Sequence, residues 1–164
     1  MLKHPAHCIA LGFGSGLSRL APGTAGTLWA WLVFLLMQNW LGSAVIGWVI
    51  LASLPLGWWA CTVTARHMRV TDPGSIVWDE VVAFWLVLWL VTPAGLWMQL
   101  WAFVLFRFFD AAKPGPVGWA DKVFKPTGDE AEAARWRRAG LGIMFDDLVA
   151  AFCALVVIAL IRNW

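Results

Sequence analysis

Five carboxylates in this chain are placed to do chemistry together. All ten acidic residues lie between Asp72 and Asp147, and five of these fall in three short motifs at the edges of apolar stretches. Asp79 and Glu80 close Gly74-Ser-Ile-Val-Trp-Asp-Glu80, Asp110 closes Phe106-Arg-Phe-Phe-Asp110, and Asp146 and Asp147 close Gly142-Ile-Met-Phe-Asp-Asp147. A carboxylate within a bilayer costs roughly 2.5 to 3.5 kcal/mol on insertion scales, less near the interface. Five gathered together also repel one another, and a divalent cation relieves both costs. Hard oxygen donors suit Mg²⁺, Ca²⁺ or Mn²⁺. The competing reading pairs these acids with Arg66, Arg107 and Lys113.

The neighbouring cations suggest what such a metal would act on. Arg107, Asp110 and Lys113 are three residues apart, and they share one face if the helix continues that far before Pro114 and Pro116 end it. Cations beside a metal would neutralise the oxygens of a phosphate ester while a carboxylate orients water. An ordinary intrahelical ion-pair stripe would look the same. Near the N-terminus, Gly12-Phe-Gly-Ser-Gly-Leu-Ser18 leads into Pro22-Gly-Thr-Ala-Gly-Thr27. Glycine lets backbone N–H groups close around an anion, and a helix start adds a positive dipole end. The spacing is neither the dinucleotide fingerprint nor the Walker loop, and a flexible re-entrant hinge explains it equally well.

Other chemistries fit poorly. Cys61 and Arg66 are one residue too close for a thiol-phosphatase loop. Cys8, Cys61 and Cys153 are too far apart for a zinc site and odd in number for a disulfide framework. His4, His7 and His67 form no metal-ligand spacing, and no GxSxG elbow is present. A net charge of +2 gives no reason to expect a nucleic-acid partner.

The elements that must position the acids are apolar spans. The 164 residues are 61% hydrophobic and only 13% charged, with 14 Trp and a mean hydropathy of +0.72. Soluble domains average about 25% charged residues, so most of this surface must face lipid. Trp40, Trp58, Trp59, Trp78, Trp97 and Trp164 fall at the ends of apolar runs, as in the aromatic belts of membrane proteins. The runs cover residues 24–40, 42–62, 76–91, 95–109 and 148–161. A full span takes about 20 residues, so the last three are short and require bilayer thinning or snorkelling flanks. The expected fold is an all-α, polytopic membrane bundle of about four to five helices in one domain, 1–164, with an acidic site at its cytoplasmic face.

Charge sets the orientation. The turns at 39–42 and 91–95 carry none, whereas 66–80 and 107–138 carry most of it. With the N-terminus inside, every Lys and Arg except Arg162 is cytoplasmic, as the positive-inside rule requires. Arg162 implies either that the C-terminus is outside or that the fifth run does not fully cross. Residues 122–140 form a polar cytoplasmic insert. Thr127 and Glu130 have capping-box spacing, predicting a short helix over 129–138 that ends at Gly140. There, Arg135, Arg137 and Arg138 beside Trp136 suit anionic headgroups, or simply a solvated face.

Taken in order, Gly12-Phe-Gly-Ser-Gly-Leu-Ser18, Pro22-Gly-Thr24, Gly74-Ser-Ile-Val-Trp-Asp-Glu80, Phe106-Arg107, Asp110, Lys113-Pro114 and Gly142-Ile-Met144 with Asp146-Asp147 resemble the phosphatidylglycerophosphatase A family. The resemblance runs from about Ile9 to the last span. It implies a Mg²⁺-dependent enzyme of the bacterial inner membrane that removes the terminal phosphate of phosphatidylglycerol phosphate on the cytoplasmic side. It also implies Asp79, Glu80, Asp110, Asp146 and Asp147 as metal-binding or water-activating residues. Arg107 and Lys113 would bind phosphate, with Ser15, Ser18 and Thr24 in support. The insert at 122–140 is longer than the family pattern leads one to expect. Two alternatives remain: a phosphatase for another lipid phosphomonoester, and a small ion-coupled transporter, since intramembrane carboxylates also line ion pathways.

Overall fold

The computed structural model describes residues 4–126 and 130–162. Thr127, Asp129 and Trp164 lie outside these, so the expected capping box and the last tryptophan are not described. All regular structure among the described residues is helical. The order is α1 (Pro5–Ala10), a 3₁₀ segment (Gly12–Leu17), α2 (Pro22–Trp40), α3 (Ser43–Met68), α4 (Trp78–Val91), α5 (Leu96–Ala112), α6 (Pro116–Val123) and α7 (Glu132–Arg162).

Helix α4 is the axis of the bundle. It is apolar all round below its first turn, and such a helix must be enclosed. It packs against α2, α3, α5 and α7. Val81, Val82, Ala83, Phe84, Val87 and Leu88 are fully buried in the process. Indole N–H groups pin its neighbours: Trp85 donates to the Ala30 carbonyl at 2.8 Å and Trp78 to the Ser53 carbonyl at 3.3 Å. Phe84 stacks on Phe106 and meets Phe103 edge-on, carrying the core into α5.

The outward faces are as apolar as the core. Leu32, Leu36, Trp48, Trp97, Trp101, Phe152 and Leu160 are all exposed. Patches of this kind on a water-facing monomer are rare; here they are the surface of a membrane protein. Helices α3 and α7 are long and apolar enough to cross a bilayer by length and composition.

Two sequence expectations change. First, the helix expected over 129–138 does not stop at Gly140. It begins at Glu132 and continues unbroken to Arg162. Gly140 serves close packing, not termination: a Cβ there would lie 2.1 Å from Thr62 Oγ1 and 3.0 Å from the Thr62 backbone of α3. Asp146 and Asp147 therefore sit inside a helix, far from the N-terminal dipole of α7 itself. Second, α5 ends at Ala112, and Lys113 takes a left-handed cap conformation with φ +45°. Lys113 thus leaves the helical stripe expected with Arg107 and Asp110.

The odd cation, Arg162, also finds its place. It donates to the carbonyl of Val91, the last residue of α4, at 3.3 Å. That carbonyl is at the opposite end of α4 from Asp79 and Glu80. From Asp147 to Arg162, α7 rises about 23 Å and so runs beside the full length of α4, which rises about 21 Å.

Candidate active site

Three helices bring the acids to one end of the bundle. The residue before α4 is held first: the Val77 amide donates to the Ala10 carbonyl of α1 at 2.9 Å. This places Asp79 and Glu80 in the first turn of α4, where the positive helix end favours carboxylates. Glu80, Asp110 of α5 and Asp147 of α7 each offer an oxygen, and the three oxygens lie within 4.8 Å of one another. The side chains of Glu80 and Asp110 are 12% exposed, and Asp147 is 3% exposed.

Arg107 is the cation at this cluster. Its Nη1 donates to Glu80 Oε1 at 3.0 Å and also to Asp110 Oδ2. It leaves oxygens unserved. Asp79 Oδ1, Glu80 Oε2 and Asp147 Oδ2 are inaccessible to solvent and have no hydrogen-bond partner. Unpaired buried charge of this kind is strongly unfavourable. Hard carboxylate oxygens left without a donor fit a divalent cation held by Glu80, Asp110 and Asp147. Asp79 is adjacent but outside this triad.

Asp146 faces a second, basic centre. Lys113 donates to Asp146 at 2.6 Å and to Asp121 of α6 at 2.5 Å, and Asp121 also accepts from Lys125 at 2.6 Å. Burial alone would lower the Lys113 pKa, but the bonds and charges of Asp121 and Asp146 outweigh it and raise it. Burial likewise opposes ionisation of Asp121, yet its hydrogen bonds from Lys113 and Lys125 hold its pKa below the usual carboxylate value. Asp121 is a member of this centre that no motif in the sequence singles out. Its signal was weak: an acid four residues before Lys125, on a short helix fixed by Pro114 and Pro116. Beside this centre, Asp72, Asp121, Lys125, Arg135 and Asp146 help line an open cavity of about 240 Å³.

The glycine-rich segment backs the acids. A Cβ at Gly23 would lie 2.0 Å from Glu80 Oε1 and 3.0 Å from Arg107 Nη1, and one at Gly26 would lie 3.2 Å from Glu80 Oε2. A Cβ at Gly16 would lie 2.1 Å from the Ser75 carbonyl. These glycines let the start of α2 and the 3₁₀ segment close directly onto the start of α4. The hydroxyls are spent locally: Ser15 donates to the Gly12 carbonyl at 2.9 Å and Ser18 to the Leu20 carbonyl at 2.8 Å. Thr24 is half-buried in the first turn of α2.

The histidines, unremarkable in sequence, meet in space. His67 Nδ1 lies 3.0 Å from His7 Nε2, His7 Nδ1 lies 3.1 Å from Thr64 Oγ1, and the His4 ring is 5.0 Å from that of His7. They tie α1 to the end of α3, and through Ala10 and Val77 they support the acidic turn of α4.

A family model for phosphatidylglycerophosphatase A matches residues 8–162. The chain is 37% identical to phosphatidylglycerophosphatase A of Haemophilus influenzae over 163 residues, covering 99% of this chain and 92% of that protein. It is 35% identical to phosphatidylglycerophosphatase A of Escherichia coli over 165 residues, covering 99% and 87%. A Bacteroides thetaiotaomicron protein, provisionally named a phosphatidylinositol-3-phosphatase, is 32% identical over 160 residues, covering 94% and 91%. No solved structure matches.

Proposed function

This chain belongs to the phosphatidylglycerophosphatase A family, and on that premise we propose that it is a Mg²⁺-dependent phosphatase converting phosphatidylglycerol phosphate to phosphatidylglycerol and inorganic phosphate. It is a multi-pass protein of the bacterial inner membrane with its acidic end toward the cytoplasm. The orientation is supported by the lysines and arginines collected at that end. The observation that carries the reading is the meeting of Glu80, Asp110 and Asp147 beside Arg107, with unpartnered oxygens on Asp79, Glu80 and Asp147.

Glu80, Asp110 and Asp147 would hold Mg²⁺, which when bound supplies Lewis-acid polarisation of a phosphoryl oxygen. Arg107, already bridging Glu80 and Asp110, presents a fixed guanidinium to the phosphate oxygens. Lys113, clamped by Asp121 and Asp146, adds a point charge that stays protonated at neutral pH. Asp79, whose Oδ1 has no partner, orients the attacking water and takes its proton. The water oxygen bonds to phosphorus, the bond from phosphorus to the glycerol oxygen breaks, and that oxygen takes a proton from solvent as the new hydroxyl while Asp79 gives up to solvent the proton it accepted. Ser15 and Ser18 act through the backbone segment they stabilise, and Thr24 supports the site from the first turn of α2.

The test is phosphate release by purified protein from phosphatidylglycerol phosphate, with and without a chelator. Activity untouched by chelator, or surviving Asp79→Asn together with Asp146→Asn, would sink this mechanism. The Bacteroides relative favours one other reading, a phosphatase for a different lipid phosphomonoester. Rates on phosphatidate and phosphatidylinositol 3-phosphate, compared with phosphatidylglycerol phosphate, decide between them.

A further inference from the structure

A second charged cavity opens where α3 ends and α7 begins. It has a volume of about 610 Å³ and is lined by Arg66, His67, Arg69, Glu132, Arg135 and Trp136. Its charges do not balance internally. Arg66 and Glu132 face each other at 3.9 Å, but their side chains are 61% and 75% exposed, so water screens the pair. Arg69 and Arg135 pair with no carboxylate among the described residues. Arg135 instead lies over the Trp136 ring at 5.5 Å. The cavity is therefore a cradle with surplus positive charge and an aromatic wall.

Its position identifies the occupant. Both flanking helices are long and apolar enough to span, and the cavity lies where their polar ends emerge together. This is the level at which phospholipid headgroups sit, where basic side chains gather anionic lipid. Arg135 also lines the 240 Å³ cavity that reaches Asp146 and Asp121. One side chain thus borders both the outer basic cavity and the approach to Lys113.

We propose that the cavity formed by Arg66, Arg69, Arg135 and Trp136 is a docking subsite for the phosphate of an anionic phospholipid headgroup, from which Arg135 passes the headgroup toward Asp146. The role of Arg135 in passing on the headgroup rests on the lipid-phosphatase reading; the docking itself does not. It gives the polar insert at 122–140 a function: its helical part supplies half of the cradle.

The test uses the full chain in phosphatidylcholine nanodiscs, comparing Arg69→Gln/Arg135→Gln with Lys122→Gln, an exposed cation outside the cavity, as a control. Lipid retention is read by native mass spectrometry with phosphatidylglycerol as the probe, which does not depend on catalysis. Wild type and the control should retain one phosphatidylglycerol that the double variant loses. Each basic side chain near anionic headgroups is worth roughly a factor of five, so affinity should fall about thirtyfold. In turnover, KM in mole fraction of substrate should rise by about the same factor with kcat unchanged. Displacement of the retained lipid by inorganic phosphate would show that phosphate alone is recognised; resistance would show that the lipid chains contribute. Either result sustains a subsite. Equal retention by the double variant and wild type would overturn the docking proposal, even if the enzyme is active. Loss of retention with no change in KM would overturn the passage to Asp146. Inactivity of wild type with retention intact would instead refute the phosphatase reading.

Discussion

Gly23→Ala is a one-methyl test of how the start of α2 supports the acids. The new Cβ would lie 2.0 Å from Glu80 Oε1, whereas an ordinary carbon–oxygen contact is about 3.3 Å. Glu80 must then move by about 1.3 Å, and Arg107, at 3.0 Å from the same Cβ and bonded to that oxygen, must follow. A displacement of about 1 Å in a catalytic constellation costs on the order of a hundredfold in rate. Stability should change little, because alanine is the better helix former by up to about 1 kcal/mol and the clash falls on a side chain that can swing. Phosphate release in detergent micelles should therefore fall about a hundredfold while the unfolding temperature holds. Gly42→Ala, whose Cβ meets nothing within 4 Å, is the control. Glu80→Asp, which withdraws the carboxylate by one methylene, should recover part of the loss when added to Gly23→Ala. Activity of Gly23→Ala within threefold of wild type would refute the reasoning, since Glu80 and Arg107 would then tolerate displacement.

Glu80→Gln and Asp147→Asn should each abolish activity and also the rise in thermal stability expected on adding Mg²⁺ to wild type, about 2.7 kcal/mol with the ion at 100 times its Kd. The clamp joining α5 to α6 has a wide pH window. Asp121, with its folded pKa depressed, contributes stability in full above its ordinary value near pH 4 and loses it as pH falls through the lower folded value. Lys113, with its folded pKa raised, contributes in full below its ordinary value near 10.4 and loses it only as pH rises beyond that. Hydrogen-exchange protection of α6 should thus hold between about pH 5 and pH 10 and drop throughout that range in Asp121→Asn. Gly140→Ala should behave oppositely to Gly23→Ala: its Cβ meets the Thr62 backbone, so overpacking costs about 1 to 3 kcal/mol of stability, with kcat preserved in the fraction that remains folded.

The apolar runs located the helices well where lipid and core both demand hydrophobic residues. Runs at 24–40, 42–62, 76–91 and 95–109 became α2, α3, α4 and α5 with shifts at their ends. The failures came where two forces compete. Gly140 reads as a helix stop from local propensity, but tertiary packing against Thr62 overrides it, and α7 runs on to Arg162. Lys113 reads as the third member of a helical stripe, but Pro114 and Pro116 release the chain one residue earlier, and the lysine turns to Asp121 and Asp146.

The acids were legible because the membrane makes them expensive. In a water-facing domain ten carboxylates would be ordinary surface, and their order along the chain would mean little. Here Asp79, Glu80, Asp110, Asp146 and Asp147 each border an apolar run, so each needs a partner, and too few cations are at hand to serve them all. That argument reaches the cluster but not its division. Whether an oxygen faces Arg107, Lys113 or a metal depends on helix phase: Asp146 and Asp147 are neighbours in sequence, yet one turns to Lys113 and the other to Glu80 and Asp110. Successive residues on a helix point about 100° apart, so an adjacent pair of acids at a helix crossing is divided between two sites. Asp79 and Glu80 divide the same way, with Glu80 in the triad and Asp79 Oδ1 left without a hydrogen-bond partner beside it. On the proposed mechanism, one acid of each pair, Glu80 and Asp147, would serve the cation, and the other, Asp79 and Asp146, the groups that handle water and phosphate.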